Sequence, residues 1–250
     1  MIFFLGTIVG SFLNVCIYRI PRGISISSPR SFCPHCSKPV RVFQNIPVFS
    51  YFALKGKCAS CKAPISLRYP AVEVLTALIT SATLAHFFSL EGVAFLILFY
   101  VLIIIAFIDL EHLIIPDALL VVCLGAWSLL IFKDPSWLRF YEAIVGSVAF
   151  GGFLYLARQL GKLLFKKESL GFGDIKLGFV LGMFLGWQLV VVSLYCAFFL
   201  AALVAVVGLI SKRLKFGQMI PFGPFIILGS VTAVFFGKNV LLLFNWWVSG

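Results

Sequence analysis

The chain is a succession of long apolar runs separated by short polar breaks. About 20 apolar residues in an α-helix are enough to cross the hydrocarbon core of a bilayer. We place membrane spans at residues 2–18, 71–88, 92–108, 118–132, 140–158, 175–186, 187–210 and 222–236. The pattern therefore predicts an all-α polytopic membrane protein with about eight transmembrane helices.

The run 175–210 decides the number of spans because it contains no polar break. Gly182, Gly186 and the pair Trp187-Gln188 mark the best place for a turn. If the chain does not turn there, it has seven spans, and its C-terminal tail lies on the other side of the membrane.

Residues 20–70 form the one long polar stretch, which is rich in Pro, Ser, Gly and basic residues and carries four cysteines. We interpret this stretch as a small soluble module. The predicted division is a first transmembrane helix at 1–19, the four-cysteine module at 20–70 and a transmembrane domain at 71–250.

Composition excludes a soluble protein, since the chain is 62% hydrophobic and 12% charged with a mean hydropathy of +1.10. A soluble domain of 250 residues could not bury so much apolar surface. The net charge of +11 would suit a nucleic-acid-binding protein. The excess of Lys and Arg in the cytoplasmic loops of membrane proteins explains it better. We therefore expect a lipid bilayer, and no nucleic acid, as a partner.

The basic residues also predict the orientation. In the eight-span arrangement 17 of the 20 Lys and Arg lie on one side, and Lys133, Arg139 and Lys238 lie on the other. Loops rich in Lys and Arg stay in the cytoplasm. The polar module and two aspartates, Asp109 and Asp174, are therefore expected on the cytoplasmic side.

The four cysteines of the module form two Cys-x-x-Cys pairs, Cys33 with Cys36 and Cys58 with Cys61. Four thiolates in such pairs are typical of a tetrahedral zinc site, and a site closed by four thiolates is structural. Two disulfides or free thiols are the alternatives, and a cytoplasmic location disfavours disulfides. Because a module this short has little core, we expect Zn²⁺ to supply much of its folding free energy.

Asp109 ends one apolar run, and Asp174 begins another after a Gly-Phe-Gly sequence. Carboxylates at the edge of the hydrocarbon layer are costly and are usually functional. Each aspartate also has a structural explanation: Asp109 as an interfacial residue that ends a span, and Asp174 as a helix N-cap. On neighbouring helices, the two together suggest a paired acid and base.

Two carboxyl groups can hydrolyse a peptide bond without a metal or a covalent intermediate. The ionised group takes a proton from water, and the protonated group donates one to the carbonyl oxygen. The helix dipole favours the anion at an N-terminus and disfavours it at a C-terminus. We therefore expect Asp174 to be the general base and Asp109 the general acid.

These residues belong to a set of motifs by which the chain resembles the type IV prepilin peptidase family. This family comprises the bifunctional leader peptidase/N-methyltransferases of type IV pilus and type II secretion systems. The resemblance covers nearly the whole chain, and its Gly-x-Gly-Asp element also looks like that of presenilin-type intramembrane aspartyl proteases. The motifs, in chain order, are Gly10-Ser11-Phe12-Leu13-Asn14-Val15 with Tyr18-Arg19, the paired Cys-x-x-Cys, Asn45-Ile46-Pro47-Val48, Ser66-Leu67-Arg68-Tyr69-Pro70 with Glu73, Ile108-Asp109, Ile115-Pro116-Asp117, Gly171-Phe172-Gly173-Asp174-Ile175-Lys176-Leu177 and Pro221-Phe222-Gly223-Pro224.

The resemblance implies a substrate that is a prepilin or pseudopilin with a short basic leader and a hydrophobic N-terminal helix. It implies cleavage after a glycine at the cytoplasmic face of the bacterial inner membrane, with Asp109 and Asp174 as the catalytic pair. Bifunctional members then methylate the new N-terminal residue, usually phenylalanine, with S-adenosylmethionine. The cysteine-bearing loop accompanies that bifunctional subtype.

The segment 109–117 is the one predicted cytoplasmic connection without Lys or Arg, and it holds Asp109, Glu111 and Asp117. A basic leader would be attracted to this segment and repelled by the other loops. We hypothesise that Glu111 or Asp117 helps to bind the leader. The alternatives are a solvated loop acid for Glu111 and a helix-start acid for Asp117.

Glu73 lies at the start of the second predicted span, just after Arg68-Tyr69-Pro70. It is interpreted as a helix-start acid, as the ion-pair partner of Arg68, or as part of a methyl-transfer site. The chain has no glycine-rich Rossmann fingerprint, so the sequence does not locate a site for the methyl donor.

Three alternatives to the bifunctional enzyme are a peptidase without methyltransferase activity, a membrane transporter that uses the zinc module for docking, and a scaffold without chemistry. A proton-relaying transporter is expected to carry its acids near the membrane midplane. Asp109 and Asp174 instead lie at the ends of predicted spans, which favours hydrolysis at the interface.

Overall fold

The structure, a computed structural model, describes residues 1–87, 89–165, 170–214 and 220–249. These residues form α-helices joined by loops, and their only extended pairings are two isolated bridges in the cysteine-bearing segment. The all-α prediction is therefore confirmed for the described part of the chain. The chain divides into two compact units, Met1–Ile108 and Asp109–Gly250.

The first unit contains α1 (Ile2–Arg19), α2 (Phe49–Ala53), α3 (Arg68–His86) and most of α4 (Leu90–His112). The second unit begins in the last turn of α4 and contains α5 (Asp117–Lys133), α6 (Trp137–Phe165), α7 (Phe172–Ile210) and α8 (Gly223–Ser249).

Within the described residues, five helices are long and apolar enough to cross a membrane: Ile2–Arg22, Leu90–His112, Trp137–Leu164, Phe172–Ile210 and Gly223–Leu242. Together with the many large apolar side chains exposed along the helices, they indicate a multi-pass membrane protein. The helices α3 and α5 match two further predicted spans, but α5 has only 17 residues. The count of eight spans therefore stays a prediction.

The helix α7 changes direction at Gly186, whose φ of 68° and ψ of 163° are not helical. Glycine adopts a positive φ readily because it has no Cβ. The helix is therefore interrupted at Gly186, one of the positions predicted for the turn, and a helical segment lies on each side of it.

Small residues bring the helices of each unit close together. In the first unit α1 packs on α3, and a methyl group on Gly6 or Gly10 would lie 2.6 Å from the Cα of Ala77 or Glu73. In the second unit α7 packs against α5, α6 and α8. Without such small residues the backbones of membrane helices could not approach this closely.

Candidate active site and cysteine cluster

Asp109 lies in the last turn of α4, and Asp174 lies in the first turn of α7. Both are buried, with 5% and 7% of their surfaces exposed. The predicted positions at helix ends are thus correct, although α4 continues past Asp109 to His112 and α7 begins at Phe172.

Each carboxylate accepts a hydrogen bond from a backbone N–H at the start of a helix. The N–H of Gly171, the N-cap of α7, donates to Oδ2 of Asp174 at 3.1 Å. The N–H of Gly223, the first residue of α8, donates to Oδ2 of Asp109 at 3.2 Å. The first N–H groups of a helix have no partner within it, so they are available to hold a carboxylate. Asp174 is therefore not the N-cap itself; it reaches back from the third helical position.

Gly223 lies close to the carboxyl groups of both aspartates. A methyl group on its Cα would lie 2.7 Å from Oδ2 of Asp109 and 3.5 Å from Oδ1 of Asp174. The two carboxyl oxygens are therefore within about 6 Å of each other, the sum of these two distances. Such a separation brings both groups within reach of one water molecule or one carbonyl oxygen.

Gly173 explains part of the Gly-Phe-Gly sequence before Asp174. A methyl group on Gly173 would lie 3.0 Å from Cβ of Ile115, in the segment that follows α4. Gly173 therefore allows this segment to pack closely on the first turn of α7.

Sequence reasoning missed Gly223. It noted this glycine only within the sequence Pro221-Phe222-Gly223-Pro224, because a glycine beside prolines is an ordinary loop or helix-start signal. Nothing in its spacing connects it with aspartates far earlier in the chain. The available signal was its place just before an apolar run, at the same predicted membrane face as the aspartates.

The two residues expected to bind the leader differ in their surroundings. Asp117 begins α5, as its helix-start interpretation predicted, and both of its carboxylate oxygens also accept hydrogen bonds from Nζ of Lys176, at 2.8 and 2.9 Å. Glu111 lies in the last turn of α4 and is exposed. The charge of Asp117 is therefore already offset by a lysine of α7.

The structure brings the four cysteines of the two Cys-x-x-Cys pairs together. The sulfur atoms of Cys33, Cys36, Cys58 and Cys61 all lie within 4.8 Å of one another, and Cys33 and Cys61 are 3.9 Å apart. A tetrahedron of sulfurs at the usual Zn–S distance of about 2.3 Å has edges of about 3.8 Å. The cluster therefore has the size that a four-thiolate Zn²⁺ site requires.

The two halves of the cluster have the same backbone structure. In each half the N–H of the first cysteine donates to the carbonyl five residues later, from Cys33 to Lys38 and from Cys58 to Ala63. The N–H groups of Cys61 and Ser60 lower the pKa of the Cys58 thiol to about 6. Donors arranged in this way favour the thiolate of Cys58, which is the form that binds a metal.

Glu73 belongs to the first unit, and its place in α3 tests its interpretation as a helix-start acid. The helix α3 begins at Arg68, so Glu73 lies beyond its first turn. Its Oε2 accepts the backbone N–H of Val48 at 2.6 Å. The helix-start interpretation is therefore wrong.

Two protein-family models match the chain. The model described as Bacterial Peptidase A24 N-terminal domain matches residues 4–87, and the model described as Type IV leader peptidase family matches residues 96–206. The first match includes the four cysteines and Glu73, and the second includes both aspartates.

Curated relatives match nearly the full chain. A protein of Stutzerimonas stutzeri is 33% identical over 94% of this chain and 90% of its own length. One of Aeromonas hydrophila is 33% identical over 96% and 91%, and one of Pseudomonas putida is 34% identical over 94% and 90%. Each is named prepilin leader peptidase/N-methyltransferase. No solved structure matches the chain significantly.

Proposed function

Because this chain belongs to the type IV leader peptidase family, we propose that it removes the basic leader from type IV prepilins or pseudopilins. Cleavage follows a glycine at the cytoplasmic face of the bacterial inner membrane. The new N-terminal residue, usually phenylalanine, is then methylated with S-adenosylmethionine as the methyl donor. The names of the relatives support both activities.

The approach of two buried carboxylates to Gly223 is the observation that carries this proposal. Two carboxyl groups this close in an apolar environment disfavour double ionisation. One of them can then accept a proton from water while the other donates a proton to the peptide carbonyl. This is what hydrolysis without a covalent intermediate needs.

We assign Asp174 as the general base and Asp109 as the general acid. The assignment is supported by the dipoles of their own helices, since Asp174 begins α7 and Asp109 lies near the end of α4. Infrared spectroscopy of the carboxyl stretch tests it. The band of a protonated acid should disappear in Asp109→Asn and persist in Asp174→Asn, and the reverse pattern would exchange the two roles.

The four-cysteine cluster is proposed to hold one structural Zn²⁺. Zinc would supply folding free energy by cross-linking a segment that otherwise has two isolated bridges and short helical turns. All four ligand positions are protein thiolates, so the metal has no open position for substrate.

Mass spectrometry of a co-expressed prepilin tests the proposed function, because one spectrum reports both leader loss and methylation. Asp109→Asn or Asp174→Asn should abolish leader loss. Asp134→Asn is the matched control, since Asp134 is an acid of the same unit that is 3.2 Å from Arg139 in a partly exposed ion pair. Normal cleavage by both active-site variants would disprove the aspartyl-protease mechanism.

The same spectrum separates the alternatives. Leader loss without methylation would identify a peptidase-only member. An unprocessed prepilin with wild-type protein would favour a transporter or a scaffold that uses the cysteine module for docking.

A further inference from the structure

A second buried polar cluster lies in the unit Met1–Ile108, where α1 packs on α3. It consists of Asn14 on α1 and Glu73 on α3, which are buried, and of the half-buried Ser11 on α1. Asn14 is 2% exposed and Glu73 is 8% exposed. Peptide cleavage by the aspartate pair does not use these side chains.

A backbone hydrogen bond holds the carboxylate of Glu73 in place. Its carboxylate accepts the N–H of Val48 at 2.6 Å and lies beside the side chain of Ser11. Val48 has a φ of 63°, a conformation that a β-branched residue rarely adopts. Backbone strain of this kind persists only where the surroundings enforce it, and it clusters at functional sites.

Asn14 has a buried acceptor that no described residue satisfies. Its Nδ2 donates to the carbonyl of Tyr69 at 3.0 Å, whereas its Oδ1 has no hydrogen-bond partner. Tyr69 precedes Glu73 by one helical turn, so the amide of Asn14 and the carboxylate of Glu73 adjoin the same stretch of α3. A buried acceptor without a donor is costly and calls for an explanation.

We propose that Asn14 and Glu73 bind an alkylammonium group. A buried carboxylate and an amide oxygen together offer one negative charge and acceptors, which is what a cation with several N–H donors requires. The ligand would give Asn14 Oδ1 the donor that no described residue supplies, and it would place a positive charge beside Glu73. An anionic ligand would be repelled by Glu73.

The inference rests on the proposed function, which supplies two alkylammonium groups. One is the N-terminal amine exposed by cleavage, and the other is the α-ammonium of S-adenosylmethionine. If the first is bound, Glu73 also accepts the proton that the ammonium must lose. The amine lone pair then forms the N–C bond, the C–S bond breaks, and its electron pair stays on sulfur as a neutral thioether.

Glu73→Gln in the full-length protein is the main test. Glutamine keeps an acceptor for the N–H of Val48 but removes the charge. Three quantities are measured: the KM for methylation of a pre-cleaved pilin peptide, the Kd for S-adenosylmethionine by equilibrium binding, and the rate of prepilin cleavage. Loss of a charge-assisted hydrogen bond should raise either the KM for the peptide or the Kd for S-adenosylmethionine at least about tenfold. Cleavage should be unchanged.

The two possible sources of the alkylammonium group, the new N-terminal amine and S-adenosylmethionine, give different results. A raised peptide KM with an unchanged Kd for S-adenosylmethionine identifies the substrate amine, and a raised Kd identifies the methyl donor. Asp109→Asn should still methylate the pre-cleaved peptide, which keeps failure of the protease proposal distinct from failure of this one. The proposal is overturned if both constants are unchanged, or if the wild-type protein cleaves but neither methylates nor binds S-adenosylmethionine.

Two further variants show whether the effect of Glu73→Gln is purely structural. Thr76→Ser alters another buried residue of α3 and should change neither constant. If Glu73→Gln loses bound zinc or cleavage, Asn14→Ala decides, because it removes the unsatisfied acceptor and leaves Glu73 in place. Normal ligand binding by a folded Asn14→Ala protein would then refute the site.

Discussion

Gly223→Ala should inactivate the peptidase without unfolding it. The new methyl group would lie 2.7 Å from Oδ2 of Asp109, closer than carbon and oxygen can pack. It would also disturb the 3.2 Å hydrogen bond from the N–H of residue 223. The carboxyl group of Asp109 must therefore move away from its present position.

The expected changes in stability and in cleavage rate depend on which atoms have to move. The clashing atom is the end of a side chain, which can rotate at little cost to the fold, so the unfolding temperature should change little. Misplacing a catalytic group by about 1 Å reduces rates about a hundredfold. We therefore expect kcat/KM for prepilin cleavage to fall by about that factor.

The assay compares cleavage rates and thermal unfolding for three glycine variants. In Gly237→Ala, also on α8, the methyl group would lie 2.5 Å from a terminal methyl of the flexible Leu189 side chain, and its next neighbours, Cγ of Leu189 and Cβ of Ala233, are at ordinary contact distances of 3.7 and 3.8 Å. In Gly152→Ala, on α6, it would meet nothing within 4 Å. Both controls should cleave normally. A Gly223→Ala protein with the wild-type rate would refute the catalytic arrangement, and equal losses in all three variants would point to a general effect of helix packing.

Four other predictions follow from the charges and the cysteines. Glu111→Gln combined with Asp117→Asn should raise the KM for a basic-leader substrate several-fold at low salt and less at high salt, and an unchanged KM would reject the leader hypothesis. Lys176→Gln should lower that KM at low salt, because it removes the cation that now offsets Asp117. Removing zinc with a chelator should abolish the ordered cysteine module, and metal analysis should find about one Zn²⁺ per chain. Because protons compete with zinc for thiolates, zinc should be retained at neutral pH and released in acid, below the pKa of about 6 that the Cys58 thiol has without metal. Release that does not depend on pH would contradict thiolate ligation.

The apolar pattern predicted where the helices lie, but it did not predict where they end. The span predicted at 140–158 belongs to α6, which continues to Phe165 through Arg158 and Lys162. Hydropathy reports where a segment leaves the hydrocarbon layer, whereas a helix continues until its backbone hydrogen bonds stop. The break at Gly186 was predictable because glycine is the residue that accepts a positive φ.

The candidate site was predictable only as far as its side chains are chemically distinctive. The two aspartates and the four cysteines stand out because such groups are rare in an apolar chain. Gly223 and Val48 do not, since each contributes only a backbone N–H. Which N–H groups face a carboxylate depends on how helices from distant parts of the chain pack, and local sequence does not encode that.

The ends of helices explain why the second unit can hold two buried carboxylates. Both are bound by N–H groups at helix N-termini, Asp174 by that of its own helix α7 and Asp109 by that of α8. These donors replace part of the hydration that each group loses on burial.

The same donors also affect which aspartate is the acid and which is the base. Asp109 lies near the C-terminus of α4, yet the N-terminus of α8 offsets that dipole, so the two aspartates differ less than their own helices alone imply. A small difference suits a pair that must exchange roles in each turnover, because the base that gains a proton has to return it before the next peptide bond is cleaved.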